Sequence, residues 1–176
     1  MTTGLDALSH SLESLWNVNA NPVSANYAVE AAREIIDALP RLLERLNDLD
    51  LRSRLARASL FAGLAFSNTK TALAHSISYE MTLRFGLPHG IACSFTLPMV
   101  LERAAGTDSG RDAVLAAIFG DLAGAPQRLR DFLASVGVKT EFAEYGVDAA
   151  DSARMVAHAL DGVRGKNFIG RREARA

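Results

Sequence analysis

An aspartate and a histidine near the N-terminus have the spacing of a metal-binding pair. Asp6 and His10 lie four residues apart within residues 4–13, GLDALSHSLE. On a helix, this spacing places both side chains on one face, close enough to bind one ion. The pair alone is weak evidence, because an acid and a histidine at this spacing often form an ordinary surface contact.

Two further histidines strengthen the case for a metal site. His75 lies in an apolar stretch with helical periodicity, and His89 follows a sharp turn within residues 86–90, GLPHG. A single histidine among apolar residues is more often a hydrogen-bonded core residue than a ligand. Two of them, one in a loop between helices, are harder to explain in that way.

Both histidine-containing segments resemble a known family. Residues 4–13 resemble the GLDALxHxxE segment of iron-containing (group III) alcohol dehydrogenases. Residues 65–68, AFSN, together with His75 and residues 86–90, resemble the second signature segment of that family. The resemblance extends from the N-terminus to about Leu101 and is weaker beyond it. It implies that one catalytic metal ion is coordinated by Asp6, His10, His75 and His89.

A carboxylate and three imidazoles suit Fe(II) or Zn(II) and leave coordination space for a substrate oxygen. The resemblance therefore implies a metal-dependent, NAD(P)-linked alcohol dehydrogenase or aldehyde reductase. In such an enzyme, the metal polarises the oxygen of a small alcohol or aldehyde for hydride transfer. The equilibrium preference of such donors for zinc over iron means that the family name does not decide the metal.

The sequence departs from the family pattern at Tyr79, where many members have a further histidine. We expect Tyr79 to orient substrate or to pass a proton beside the metal, or else to pack structurally. The HSISY variant at residues 75–79 is similar to the branch that includes phosphonoacetaldehyde reductases. A dianionic substrate would need cationic partners, for which Lys70 and Arg84 are the candidates; helix-end charges facing solvent are the alternative.

The nucleotide-binding half of the resembling enzymes has no counterpart in these residues. Members of the family that this sequence resembles have two domains, of which the first binds NAD(P) through a glycine-rich loop. We therefore expect residues 1–176 to form a single helical, metal-binding catalytic domain, with NAD(P) bound mainly by a domain outside this chain. Two alternatives remain open: a non-catalytic helical module for metal binding or dimerisation, and a metal-dependent lyase of the related dehydroquinate synthase-like fold.

The elements that must position these side chains are helices almost throughout. Apolar residues recur at spacings of three and four, and no run alternates long enough to predict a strand. The sequence predicts an all-α, multi-helix domain that resembles the C-terminal domain of the iron alcohol dehydrogenase fold. The helices are expected at about Leu5–Trp16, from Pro22 with a kink at Pro40, after Asp48 to Leu64, Leu73–Met81, from near His89, Gly110–Leu122, Pro126–Val136 and Ala149–Val163, with an ordered loop at 139–147.

Composition excludes several other classes of function. The formal net charge of −1 argues against nucleic-acid or membrane-surface binding, which would need a concentrated basic face. The single cysteine, Cys93, fits a reducing compartment and is expected to fill space in the core. We expect a soluble, cytoplasmic protein that can self-associate, with residues 171–175 as a solvated basic end.

Overall fold

The computed structural model describes residues 1–171 and confirms the all-α fold. The predicted basic end at residues 171–175 lies outside the residues whose side chains are described. Within the described residues no helix is both long enough and apolar enough to cross a membrane. The α-helices are α1 (Thr2–Leu15), α2 (Pro22–Glu44), α3 (Leu49–Thr69), α4 (Leu73–Phe85), α5 (His89–Ala92), α6 (Leu97–Ala104), α7 (Ser109–Phe119), α8 (Ala125–Ser135) and α9 (Ala149–Asp161).

Helix α1 is the central element, because its side chains are buried on nearly every face. It packs against α2, α3, α4, α5 and α7. Leu5, Leu8 and Leu12 are fully buried, and Trp16 closes the C-terminal end of the helix in the core. Its buried polar residues Ser11 and Ser14 are satisfied within the helix, since their hydroxyl groups donate to the carbonyls of Ala7 and His10. Its position in the core fixes where Asp6 and His10 lie.

Helices α2 and α3 form a long pair that supports α1 from one side. Asn21 begins α2 with a capping box, in which its side chain accepts from the N–H groups of Val23 and Ser24. Helix α2 continues through Pro40 to Glu44. The Asp48 side chain caps α3 as predicted, and α3 continues to Thr69. Its exposed residues Leu60 and Leu64 face away from the core.

The region around His89 is less regular than the sequence suggests. Helix α4 ends at Gly86, whose φ of 69° is readily adopted by glycine. The helix expected from His89 is a single turn of four residues, and α6 begins after a further turn. The predicted ordered loop at 139–147 contains a 3₁₀ turn, Phe142–Tyr145.

The last described residues return to the beginning of the chain. Asn17 and Phe168 form an isolated antiparallel bridge, and the N–H of Ile169 donates to the carbonyl of Trp16 at 3.2 Å. Phe168 is buried. The segment that follows α9 is therefore held against the end of α1, close to the residues that lead into α4.

Candidate metal centre

Three imidazole rings converge on one carboxylate oxygen between α1, α4 and α5. Oδ1 of Asp6 lies 3.8 Å from Nε2 of His10, 3.3 Å from Nε2 of His75 and 3.6 Å from Nε2 of His89. The structure thus brings together all four residues that the sequence singles out, although the first and the last are 83 positions apart. Every ring presents the same nitrogen to the cluster.

A buried glutamate contacts the ring nitrogen of His75 that points away from the cluster. Glu13 is fully buried, and its Oε2 lies 2.6 Å from Nδ1 of His75. The same carboxylate accepts hydrogen bonds from the backbone N–H groups of Ala72, Ala74 and His75. Ala72 is the N-cap of α4 and offers no side-chain cap of its own. Glu13 therefore caps α4 and fixes the His75 ring with the same group.

His10 is oriented by ring stacking, not by Glu13. Its ring lies between those of Phe66 and His75, with centroid distances of 4.1 Å and 4.6 Å and interplanar angles of 16° and 12°. From the sequence, Glu13 is a candidate partner for His10, because both lie on α1. The structure places the Glu13 carboxylate on His75 instead, because the start of α4 packs over that part of α1.

His89 reaches the cluster because its helix turn packs tightly on the start of α1. Gly90 is buried, and a Cβ atom there would lie 1.9 Å from the carbonyl oxygen of Thr2. Only glycine permits this approach. The ring of His89 stands edge-on to His75, with centroids 5.6 Å apart, and its side chain is 45% exposed. Solvent therefore reaches the cluster from the His89 side.

Cys93 joins the cluster in a way that sequence reasoning missed. It is fully buried, as expected of a core filler, but its thiol donates to Oδ1 of Asp6 at 3.4 Å. Possible ligand atoms of Asp6, His75, His89 and Cys93 all lie within 4.8 Å of one another. The signal in the sequence is the spacing, since Cys93 follows His89 by four residues, one helical turn.

The cluster perturbs the pKa values of its members. Burial disfavours the charged form of Asp6, but the hydrogen bond from His75 and the nearby imidazoles outweigh it and lower the pKa to about 2. Burial and the charge of His75 lower the pKa of His10 to about 4. For His75, burial is outweighed by hydrogen bonds to Asp6 and Glu13, which raise the pKa to about 9. Burial raises the pKa of the Cys93 thiol.

Tyr79 lies beside the cluster on its open side. Its ring centroid is 6.4 Å from that of His89, and the residue is 43% exposed. Such exposure does not fit a tyrosine that fills the core. Arg84 lies two and a half turns beyond His75 on α4 and pairs with Glu80 and Asp151. The pair with Asp151 joins α4 to α9, so the Arg84 side chain is directed to α9 and not to the cluster.

The remaining candidates lie apart from the cluster. Lys70 occupies the C-cap of α3 with a φ of 68°, and its carbonyl accepts from Nδ2 of Asn17 at 3.2 Å. The structure gives no contact between its amino group and the cluster among the described residues. His158, the fourth histidine of the sequence, is exposed on α9.

The donor set fits a divalent metal. Ligand atoms that sit about 2.1 Å from one ion in a tetrahedral arrangement are about 3.4 Å apart, and the separations from Oδ1 of Asp6 to the three histidines, 3.3 to 3.8 Å, are close to this value. The group whose ligand atoms all lie within 4.8 Å of one another contains Asp6, His75, His89 and Cys93, so the His10 ring lies at the edge of the cluster. Nδ1 of His75 is backed by a carboxylate, the outer partner that metal-binding histidines usually have. The fold and the cluster together define a helical domain with a candidate metal centre.

Comparison with known proteins assigns this domain to a family. The model of the Fe-containing alcohol dehydrogenase family, C-terminal part, matches residues 1–174, and the chain belongs to that family. It is 31% identical over 173 residues to the NAD-dependent methanol dehydrogenase of Bacillus methanolicus, covering 93% of this chain and 45% of that protein. It is 33% identical over 139 residues to the phosphonoacetaldehyde reductase of Streptomyces viridochromogenes, covering 73% of this chain and 35% of that protein.

Solved structures show the same fold. The sulfoacetaldehyde reductase of Bifidobacterium kashiwanohense, whose crystal structure is a complex with NAD+, superposes with a TM-score of 0.85 at 26% identity. The match covers 95% of this chain and 45% of that protein. The chain thus spans less than half the length of these relatives.

Proposed function

We propose that this chain is the metal-binding half of an NAD(P)-linked alcohol dehydrogenase or aldehyde reductase. The observation that carries the proposal is the convergence of three Nε2 atoms on Oδ1 of Asp6 within 3.8 Å. In this proposal Asp6, His10, His75 and His89 hold one Fe(II) or Zn(II) ion. The family match favours an oxidoreductase over a lyase of the related fold.

A bound ion would supply Lewis acidity that polarises the oxygen of an alcohol or aldehyde. The chain's own residues would do the rest of the positioning. Glu13 fixes the His75 ring, and Phe66 fixes the His10 ring. Tyr79, exposed beside His89, would orient the substrate or move a proton at its hydroxyl group. NAD(P) would be bound mainly by a domain outside these residues.

The substrate in this proposal is a small alcohol or aldehyde that enters from the open side of the cluster. His89 and Tyr79 are the exposed members there, whereas His75 is 4% exposed. The names of the relatives agree with such substrates, since they include a methanol dehydrogenase and reductases of phosphonoacetaldehyde and sulfoacetaldehyde.

The test is the metal content and metal affinity of the purified chain. We expect one equivalent of zinc or iron per chain by elemental analysis, and loss of most of it in His75→Ala and His89→Ala. His158→Ala is the matched control, because His158 is an exposed histidine of α9. Wild-type protein that binds no metal, or metal retained in both ligand variants, would contradict the proposal. If the chain binds metal but shows no dehydrogenase activity when it is combined with an NAD(P)-binding partner domain, the alternative of a non-catalytic module would be favoured.

A further inference from the structure

An arginine on the segment after α9 is held at the open side of the cluster. The segment is tied down at Asn167, whose Nδ2 donates to the Thr71 carbonyl at 2.9 Å and whose carbonyl accepts from the N–H of Val18 at 2.8 Å. Gly165 is buried so tightly that a Cβ atom there would lie 2.1 Å from the carbonyl oxygen of Ala159. The backbone beside Arg164 is therefore fixed.

The Arg164 side chain is also fixed, although the residue is exposed. Its guanidinium carbon lies 4.8 Å from the centroid of the Tyr79 ring, and its Nε donates to Oγ1 of Thr71 at 3.1 Å. A cation over an aromatic face is attracted by the ring quadrupole. Neither Nη group donates a hydrogen bond to any residue that the structure describes. The edge formed by the two Nη groups therefore remains available to an acceptor.

The neutral partners of Arg164 distinguish it from the arginines on α4 and α9. Arg84 and Arg154 pair with Glu80 and Asp151, and those carboxylates compensate their charge. Arg164 instead contacts a hydroxyl group and an aromatic ring, which leave its charge uncompensated. The Tyr79 ring that Arg164 contacts also lies next to the His89 ring, which belongs to the cluster. A positive group thus stands next to the opening through which a substrate would reach the metal-binding residues.

We propose that Arg164 binds the anionic end of the substrate. The substrate would be a short alcohol or aldehyde that carries a terminal oxyanion group such as a phosphonate. A guanidinium presents parallel N–H groups that match the oxygens of such a group, and Tyr79 would form the wall between the two ends. This inference rests on the proposed function, because it takes the reacting oxygen of the substrate to lie at the metal.

The experiment measures binding of 2-hydroxyethylphosphonate to the chain by ³¹P NMR. The chain is loaded with zinc or with cobalt(II), a paramagnetic substitute that shortens the relaxation of nearby nuclei. We expect Arg164→Gln to weaken binding by about tenfold or more, as for loss of a charge-assisted pair. Lys166→Gln is the matched control, because Lys166 is exposed on the same segment and carries the same charge. It should change binding by less than about twofold.

Each outcome decides the inference. Cobalt-enhanced ³¹P relaxation together with dependence on Arg164 supports it. Equal effects of Arg164→Gln and Lys166→Gln, absence of binding to the wild-type chain, or binding without cobalt-enhanced relaxation in a cobalt-loaded chain would overturn it. If ADP displaces the probe and itself depends on Arg164 more strongly, the arginine serves a cofactor phosphate and the inference is wrong. If no cobalt binds, the proposed function fails, while the Arg164 and Lys166 comparison still decides whether the anion site exists.

Discussion

Replacing Glu13 by glutamine should disturb the proposed metal centre without changing any of its four proposed ligands. The Glu13 carboxylate is fully buried and accepts four hydrogen bonds, two at each oxygen. Glutamine has one acceptor oxygen and one NH2 group in the same shape. With its oxygen at the Oε1 position, it would still accept from the N–H groups of Ala74 and His75. Its NH2 group would then face two donors, the N–H of Ala72 and Nδ1–H of His75.

The second of these conflicts acts directly on the ligand atom. Nδ1 of His75 can face an NH2 group only as an acceptor, which moves the ring proton to Nε2. Nε2 is the atom that points at Asp6, and a protonated nitrogen cannot bind a metal. Loss of such an outer partner typically lowers metal affinity by about 10- to 100-fold. At about 1.4 kcal/mol per tenfold, this is a loss of roughly 1.4 to 2.8 kcal/mol in binding free energy.

The first conflict acts on the stability of the fold. A buried N–H group at Ala72 without an acceptor costs roughly 1 to 3 kcal/mol in the free energy of unfolding. Urea unfolding of the metal-free chain should therefore show Glu13→Gln to be less stable than the wild type. Measuring it without metal separates this loss from the loss of metal affinity.

The affinity is measured by competition for zinc with a chromophoric chelator, and the ring proton by ¹⁵N NMR of the histidines. Glu80→Gln is the control, because Glu80 lies on α4, the helix that carries His75, and pairs only with Arg84 and Arg154 among the described residues. If Glu13→Gln bound zinc within about twofold of the wild type, with Nδ1 of His75 still carrying its proton, the positioning role of Glu13 would be refuted.

Two further predictions concern packing and pH. Gly90→Ala should lower the free energy of unfolding by about 1 to 3 kcal/mol, since the added Cβ meets the Thr2 carbonyl. Gly63→Ala is the comparison: no atom lies near its Cβ position, and it should raise the free energy of unfolding by about 0.5 to 1 kcal/mol. Hydrogen bonds from arginines lower the pKa of Asp151, so its stabilisation is complete above pH ~4 and disappears as pH falls through the folded-state pKa. Thermal melts of wild type and Asp151→Asn should therefore differ at pH 6 and converge in acid.

The helices and the pair of Asp6 and His10 could be predicted because their signals are local. The apolar period indicates the helices, and the spacing of Asp6 and His10 places both on one face of α1. That His75 and His89 join them came from the family resemblance, since no local rule brings α4 and α5 to α1. The length of α5 could not be predicted, because the close contact of Gly90 with Thr2 of α1 is a tertiary feature that no local pattern reports.

The partners of the cluster could not be predicted, because they depend on tertiary contacts. Glu13 shares a helix with His10, and only the packing of α4 over α1 directs its carboxylate to His75. Cys93 is predicted from the sequence only as a residue that fills space in the core. Its thiol is a neighbour of the cluster because Asp6 lies next to it in the folded chain. Arg164 follows His89 by 75 residues, and its place depends on the bridge between Asn17 and Phe168.

These contacts give the two ends of the chain a shared role in the site. Helix α1 supplies Asp6, His10 and the glutamate behind His75, while the segment after α9 holds Arg164 against Thr71 and Tyr79. Thr71 immediately precedes the α4 N-terminus that Glu13 caps. The proposed metal ligands and Arg164 are therefore both positioned by contacts at the start of α4. A substrate with an anionic end would contact both sides of that point at once.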